Sequence, residues 1–133
     1  MVTTYFLNML VGNAFHAPGV SSFPATYYVA LSTTVPDSTG GNITEPSGGS
    51  YARAPFTSMG TPSNGVISNG EDVEFPESTG TWGTIKAFAI YDSAVGGNVL
   101  MCDVLNTPQD IVADNQARFR SGALQVTIRA ASA

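Results

Sequence analysis

Glycine, proline and asparagine interrupt this chain at short intervals from end to end, with 14 Gly and 8 Pro in 133 residues. Gly supplies positive φ, Pro fixes φ and removes an N–H donor, and Asn tolerates the left-handed region, so each marks a place where a regular element stops. What remains between them is short. One stretch has helical spacing: Tyr5-Phe6-Leu7-Asn8-Met9-Leu10-Val11, in which Tyr5, Phe6, Met9 and Leu10 form a stripe. Thr3 or Thr4 is placed to cap its start, and Gly12-Asn13 reads as its stop. Two turns of helix do not stand alone, so the stripe packs either on its own domain or as an anchor on a neighbouring subunit.

The other segments read as strands. Thr26 to Ser32 is aromatic and β-branched, with Tyr27, Val29 and Leu31 on one side. Thr84 to Tyr91 is apolar on both faces and reads as a central strand. Asn98 to Leu105 is a third, joined to the second by a Gly96-Gly97-Asn98 hairpin turn. Ala123 to Arg129 alternates, with Leu124, Val126 and Ile128 inward and Gln125, Thr127 and Arg129 outward. Shorter strands are expected at Tyr51–Phe56, Gly65–Ser68, Val73–Phe75 and Ala117–Phe119. Many short strands with frequent turns, and no helix–strand rhythm, predict an all-β fold: an antiparallel β-sandwich, jelly-roll-like, with one short N-terminal helix. Residues 1–133 form one domain, in which 1–25 make a helix-and-loop arm and 33–50 a long loop. A patternless loop of that length is usually functional, and it is the expected place of a contact to a partner subunit.

Composition narrows the function. Charged residues are 11% of the chain, against roughly 25% in a typical soluble domain, which suits a surface partly covered by neighbours. The net charge is −5, and the five basic residues, Arg53, Lys86, Arg118, Arg120 and Arg129, make no basic face of the kind phosphates require. No nucleic-acid partner is expected. No stretch is long and apolar enough to span a membrane, and the start, Met1-Val2-Thr3-Thr4-Tyr5, lacks the basic region of a signal peptide. The single cysteine, Cys102, excludes an intrachain disulfide and reads as a small buried hydrophobe.

Residues with chemical potential are few. His16 is the only histidine and has no local partner for nucleophilic catalysis or metal binding. Glu71, Asp72, Glu74 and Glu77 cluster, but without the spacing of a calcium loop. A charged strand edge accounts for them, and a carboxylate-based glycan hydrolase is the least favoured alternative. Gly40-Gly41 and Gly48-Gly49 lack the Lys-Ser or Lys-Thr of a phosphate loop. Asn42-Ile43-Thr44 is a glycosylation sequon by pattern only. Trp82, in Gly80-Thr81-Trp82-Gly83-Thr84, either closes one end of a sandwich core or stacks on a sugar. No cofactor, metal ligand or catalytic residue is expected.

The run Tyr28-Val29-Ala30-Leu31-Ser32-Thr33-Thr34-Val35-Pro36, followed by Asn42-Ile43-Thr44-Glu45-Pro46-Ser47-Gly48-Gly49-Ser50-Tyr51-Ala52-Arg53, resembles a family of small tailed-bacteriophage virion proteins, labelled fibre-like or uncharacterised structural proteins. The likeness continues through Phe75-Pro76, Gly80 to Ile85, Phe88 to Asp92, Gly96-Gly97-Asn98 and Phe119 to Leu124, and spans about Tyr27 to Ile128. The resemblance implies a non-enzymatic virion subunit, made in the bacterial host cytoplasm, that assembles with copies of itself and with other capsid or tail proteins. A tail or fibre position and a capsid-decorating position both stay open. Tyr5, Phe6, Met9, Leu10, Asn42, Glu45, Tyr51 and Arg53 are the candidate subunit contacts, Arg53 pairing with Glu45 or with a neighbour's carboxylate. A carbohydrate-binding module at a fibre tip, with Trp82 stacking on a host glycan, is the alternative.

Overall fold

A computed structural model describes residues 1–37 and 39–127; Ile128 and Arg129 of the expected last strand lie outside them. Helix α1 spans Thr4–Ala14. Thr3 caps it: its hydroxyl accepts from the Phe6 N–H and donates to the carbonyls of Val99 and Leu100 at 2.8 and 3.0 Å. One side chain thus starts the helix and fixes it to a strand. The helix passes through Gly12-Asn13, which was expected to end it. Gly12 serves packing, because a Cβ there would stand 2.5 Å from a Val20 methyl. The Asn13 amide donates to the carbonyls of Met9 and Ser21 at 2.7 and 2.9 Å, holding the following turn against the helix.

Eight strands follow: β1 Tyr27–Ser32, β2 Ala54–Phe56, β3 Val66–Ser68, β4 Val73–Glu74, β5 Gly83–Tyr91, β6 Val99–Ile111, β7 Arg118–Phe119 and β8 Gln125–Thr127. The main sheet has the order β2-β1-β5-β6, and every pair is antiparallel. Two ribbons, β3–β8 and β4–β7, lie over one of its faces. The chain is therefore all-β and antiparallel with a single N-terminal helix, and its second layer is divided in two. Strand β5 is central, as its two apolar faces require. The Gly96-Gly97-Asn98 turn does connect β5 to β6. Gly97 has φ +76° and a Cβ there would meet Asp92, whose carboxylate accepts the Asn98 N–H at 2.7 Å.

The two faces of the main sheet differ in side-chain size. Val29, Leu31, Phe56, Ile85, Phe88, Ile90 and Met101 point to the ribbons and bury against Val73, Phe75 and Leu124. Phe119 meets Phe88 edge to face at 5.5 Å. The opposite face carries Ala30, Ala89 and Cys102 in one row and Ser32 with Ala87 in the next. All five are fully buried, because the 33–50 segment lies across them as a strap. Thr33 N–H donates to Thr44 O at 2.9 Å, Thr44 N–H to the Ser32 hydroxyl at 3.1 Å, and Ile43 packs on the Ala–Cys row. Only small side chains leave room for backbone to approach that closely.

Strand β6 runs well beyond its expected end at Leu105. Ile85 pairs with Gln109 but Ala87 pairs with Val104, so Leu105 through Pro108 all stand opposite Lys86 as a wide bulge. Periodicity breaks at such a point, which hid the second half of the strand. Ala89→Leu is expected to overpack the small-residue face and destabilise the fold by about 1–3 kcal/mol. A lower denaturant midpoint at unchanged slope would show this, whereas an unchanged midpoint would mean that the strap does not press on that face.

Candidate functional site

Glu45, Tyr51 and Arg53 come together where the strap ends. The Arg53 guanidinium is bidentate on Glu45, Nε to Oε1 at 3.0 Å and Nη2 to Oε2 at 2.8 Å. Its Nη1 donates to the carbonyls of Ser93 and Gly96, each at 2.7 Å, and its Cζ sits 3.6 Å above the centre of the Tyr91 ring. The Tyr51 hydroxyl donates to Glu45 at 2.7 Å and accepts from the Leu31 N–H at 3.0 Å. The Arg53 side chain is 7% exposed and that of Glu45 25%. The pair is thus enclosed, and Arg53 takes the chain's own carboxylate. These three residues, expected to meet a partner subunit, spend their polar groups inside the domain.

Burial alone would push the Glu45 carboxyl up. Hydrogen bonds from Arg53 and Tyr51, with the Arg53 charge, outweigh it and hold the carboxyl below its ordinary value. Burial would lower the Arg53 pKa, and the Glu45 hydrogen bonds and charge raise it instead. Tyr51 is pushed far up, first by burial and then by its bond to Glu45. No group in this cluster is poised to exchange a proton near neutral pH.

Trp82 is 3% exposed. Its ring packs edge to face on Tyr51 at 5.2 Å, and Nε1 donates to Gly49 O at 2.9 Å. The ring closes the end of the core and offers no face to a sugar, which corrects the stacking role considered for it. Asn42 is exposed in the left-handed region, φ +61°, and its amide donates to Val35 O at 2.8 Å, organising the strap. Among the carboxylates, Asp72 and Glu74 share Arg118 at 3.8 and 3.7 Å, and Glu71 and Glu77 are exposed. His16 lies exposed after the helix. Cys102 is buried, and burial pushes its thiol up. Among the described residues, no three His, Cys, Asp or Glu side chains converge on one point, and no helix is long and apolar enough to cross a membrane.

Helix α1 divides its apolar residues between two sides. Met9 is buried in its own domain, and Phe6 and Leu10 are half-buried. Met9 is therefore not available to a neighbour, because the inward side of the helix is used on the domain itself. Tyr5 is exposed. The outward side carries Leu7 (42% exposed) and Val11 (59%), and the C-cap residue Phe15 (80%) follows four further on, just past the helix end. This second stripe is visible in the sequence as Leu7, Val11 and Phe15. Read as a helix end, Gly12-Asn13 leaves Phe15 outside the pattern. The helix has no charged side chain.

Replacing Arg53 by Met should cost about 3 kcal/mol, the lower end of the range for breaking a buried pair, because Glu45 keeps some contact with water. For acid, the folded-state Glu45 carboxyl lies below its ordinary 4.5. Its stabilisation is therefore complete above pH 4.5 and is lost as pH falls through the folded value. Denaturant midpoints measured from pH 6 to pH 3 should fall less steeply in Glu45→Gln than in the unaltered chain. Parallel curves would show that the clasp is not the titrating element.

The geometry thus brings forward an enclosed ion-pair clasp, a strapped sheet and an uncharged helix with an apolar outer stripe. No curated protein matches it. The family described as podophage GP4 fiber I protein gp80 matches residues 1–127, and the chain belongs to that family of bacteriophage fibre structural proteins.

Proposed function

We propose that this chain is a non-enzymatic subunit of the virion fibre that works by protein–protein assembly, and that the outer face of α1 is a contact through which it docks on another subunit. The observation that carries this reading is the Leu7–Val11–Phe15 stripe on a helix without a charged residue. Apolar groups left in contiguous contact with water mark interaction sites, and depletion of charge is typical of an interface core. A second copy of the chain is the partner favoured first. Copies carrying −5 each repel, and an uncharged face is where two of them approach at least electrostatic cost. The family membership supports a fibre position over a capsid-decorating one.

The enclosure of Glu45, Tyr51 and Arg53 shifts the proposed contact from the strap to the helix. Burying one Leu or Val side chain is worth about 1.5–3 kcal/mol, and about 1.4 kcal/mol is a tenfold change in affinity. The double variant Leu7→Glu, Val11→Glu alters only exposed positions. It should keep the circular dichroism and melting behaviour of the unaltered chain, lose self-association by sedimentation, and be at least about tenfold depleted from purified particles. Incorporation at the unaltered copy number would remove the helix from the interface.

A further inference from the structure

A cleft of about 490 Å³ opens between the two layers beside the β6 bulge, with Leu31 of β1 and Ile85 of β5 also lining it. That lies within the range of small-ligand sites, about 300–1,000 Å³. Its position follows from the β6 bulge. Because Leu105 through Pro108 all oppose Lys86, the strand swings out and Asn106 and Thr107 stand at the rim, while Leu105 lines the wall. Beyond the bulge, Gln109 pairs with Ile85 and shares its face, so an amide points to the gap where the main sheet's core row would otherwise continue. Bulges at sheet edges commonly re-aim side chains beside functional sites.

The far wall is β7 and the residue before its neighbour. Gln116 is pinned on both sides: its Nε2 donates to Phe75 O at 3.2 Å and its Oε1 accepts from Arg118 Nη2 at 3.3 Å. The amide is thereby oriented before any ligand arrives, which reduces the ordering cost of binding. Arg118 also reaches Asp72 and Glu74, so two carboxylates offset its charge and the cleft has no net positive character. No acidic residue lines it. Ile111 and Phe119 complete an apolar wall.

An apolar wall faced by neutral amides and a hydroxyl, each able to donate and accept, matches one ligand chemistry well. A pyranose ring has an apolar C–H face and a ring of hydroxyl groups that need partners of both kinds. We infer that this interlayer cleft is a binding site for a neutral saccharide of one or two units. The inference is separate from the assembly role of the helix, since no residue of α1 touches the cleft.

An added extended strand from a neighbouring subunit is the competing occupant. The outer side of β6 is paired by the N-terminal residues only near Met101, through Val2, among the described residues. The bulge and Pro108 make the remaining edge a poor template for such pairing, which favours the saccharide.

The test uses the full chain with glucose, galactose, mannose, N-acetylglucosamine and their disaccharides, observed by saturation-transfer and chemical-shift NMR at millimolar sugar. At least one should bind saturably and perturb Asn106 to Gln109 and Gln116 to Phe119. Asn106→Leu and Gln116→Leu should each weaken that binding at least about tenfold, the scale set by losing one oriented polar contact, while Leu7→Glu leaves it unchanged. Because Gln116 also bonds the Phe75 carbonyl, Asn106→Leu, at an exposed position, keeps the test valid if the Gln116 variant is unstable. Absence of binding by every sugar, or binding indifferent to Asn106→Leu, would overturn the proposal. So would protection of the Asn106–Gln109 amides on self-association without sugar, since the cleft would then belong to a subunit contact.

Discussion

A guanidinium removed from water must have its N–H groups met and its charge balanced, and few places in a small domain can supply both. Arg53 finds them where three parts of the chain meet. Glu45 comes from the end of the strap, the Ser93 and Gly96 carbonyls from the β5–β6 connection, and the Tyr91 ring from the central strand. Tyr51 adds the backbone of β1 through the Leu31 N–H. One side chain therefore fixes the strap, the hairpin and the sheet to a common point. Among the described residues the strap has no strand pairing, and its position depends on this clasp, on the bonds of Thr44 to Ser32 and Thr33, and on the Gly49 carbonyl, which accepts from Trp82 and Thr79.

The clasp works because the sheet surface beneath it is nearly flat. Ala30, Ala89, Cys102, Ser32 and Ala87 present little more than backbone, so the strap's own main chain can serve as the covering layer. The other face has the opposite design. Its large side chains need a thick cover, and the two ribbons supply Phe75, Phe119 and Leu124 for it. One sheet thus carries two kinds of core, one filled by side chains and one by close backbone approach, and the difference originates in which positions of β1 and β5 hold alanine.

Much of this was legible in the sequence where a local signal existed. The alternation in Tyr27–Ser32 and the apolar run of Thr84–Tyr91 gave β1 and a central β5, and Gly96-Gly97-Asn98 marked the hairpin. The burial of Cys102 followed from its apolar setting. Features set by distant partners were not legible. Arg53 depends on carbonyls 40 and 43 residues away, which no window of sequence reveals, and its enclosure turned an expected contact residue into an internal one. Gly12 reads locally as a helix stop, yet it is a glycine because Val20 leaves no room for more. The second half of β6 was hidden by a bulge that breaks period two at Leu105.

The pairing of β3 with β8 joins Val66–Ser68 to Gln125–Thr127. The second layer is thus sealed by two segments separated by half the chain, a closure that is entropically slow and that no local contact can begin. On a translating ribosome the large-side-chain face of the β1–β5–β6 unit, with Val29, Leu31, Ile85, Phe88, Ile90 and Met101, is complete before Gln125 emerges. Until then it lacks Leu124 and the β3–β8 part of its cover. Nascent copies crowded on one messenger would meet one another at that stage, so the order in which the lid arrives sets how safely this small subunit can be produced in the quantity a burst of phage requires.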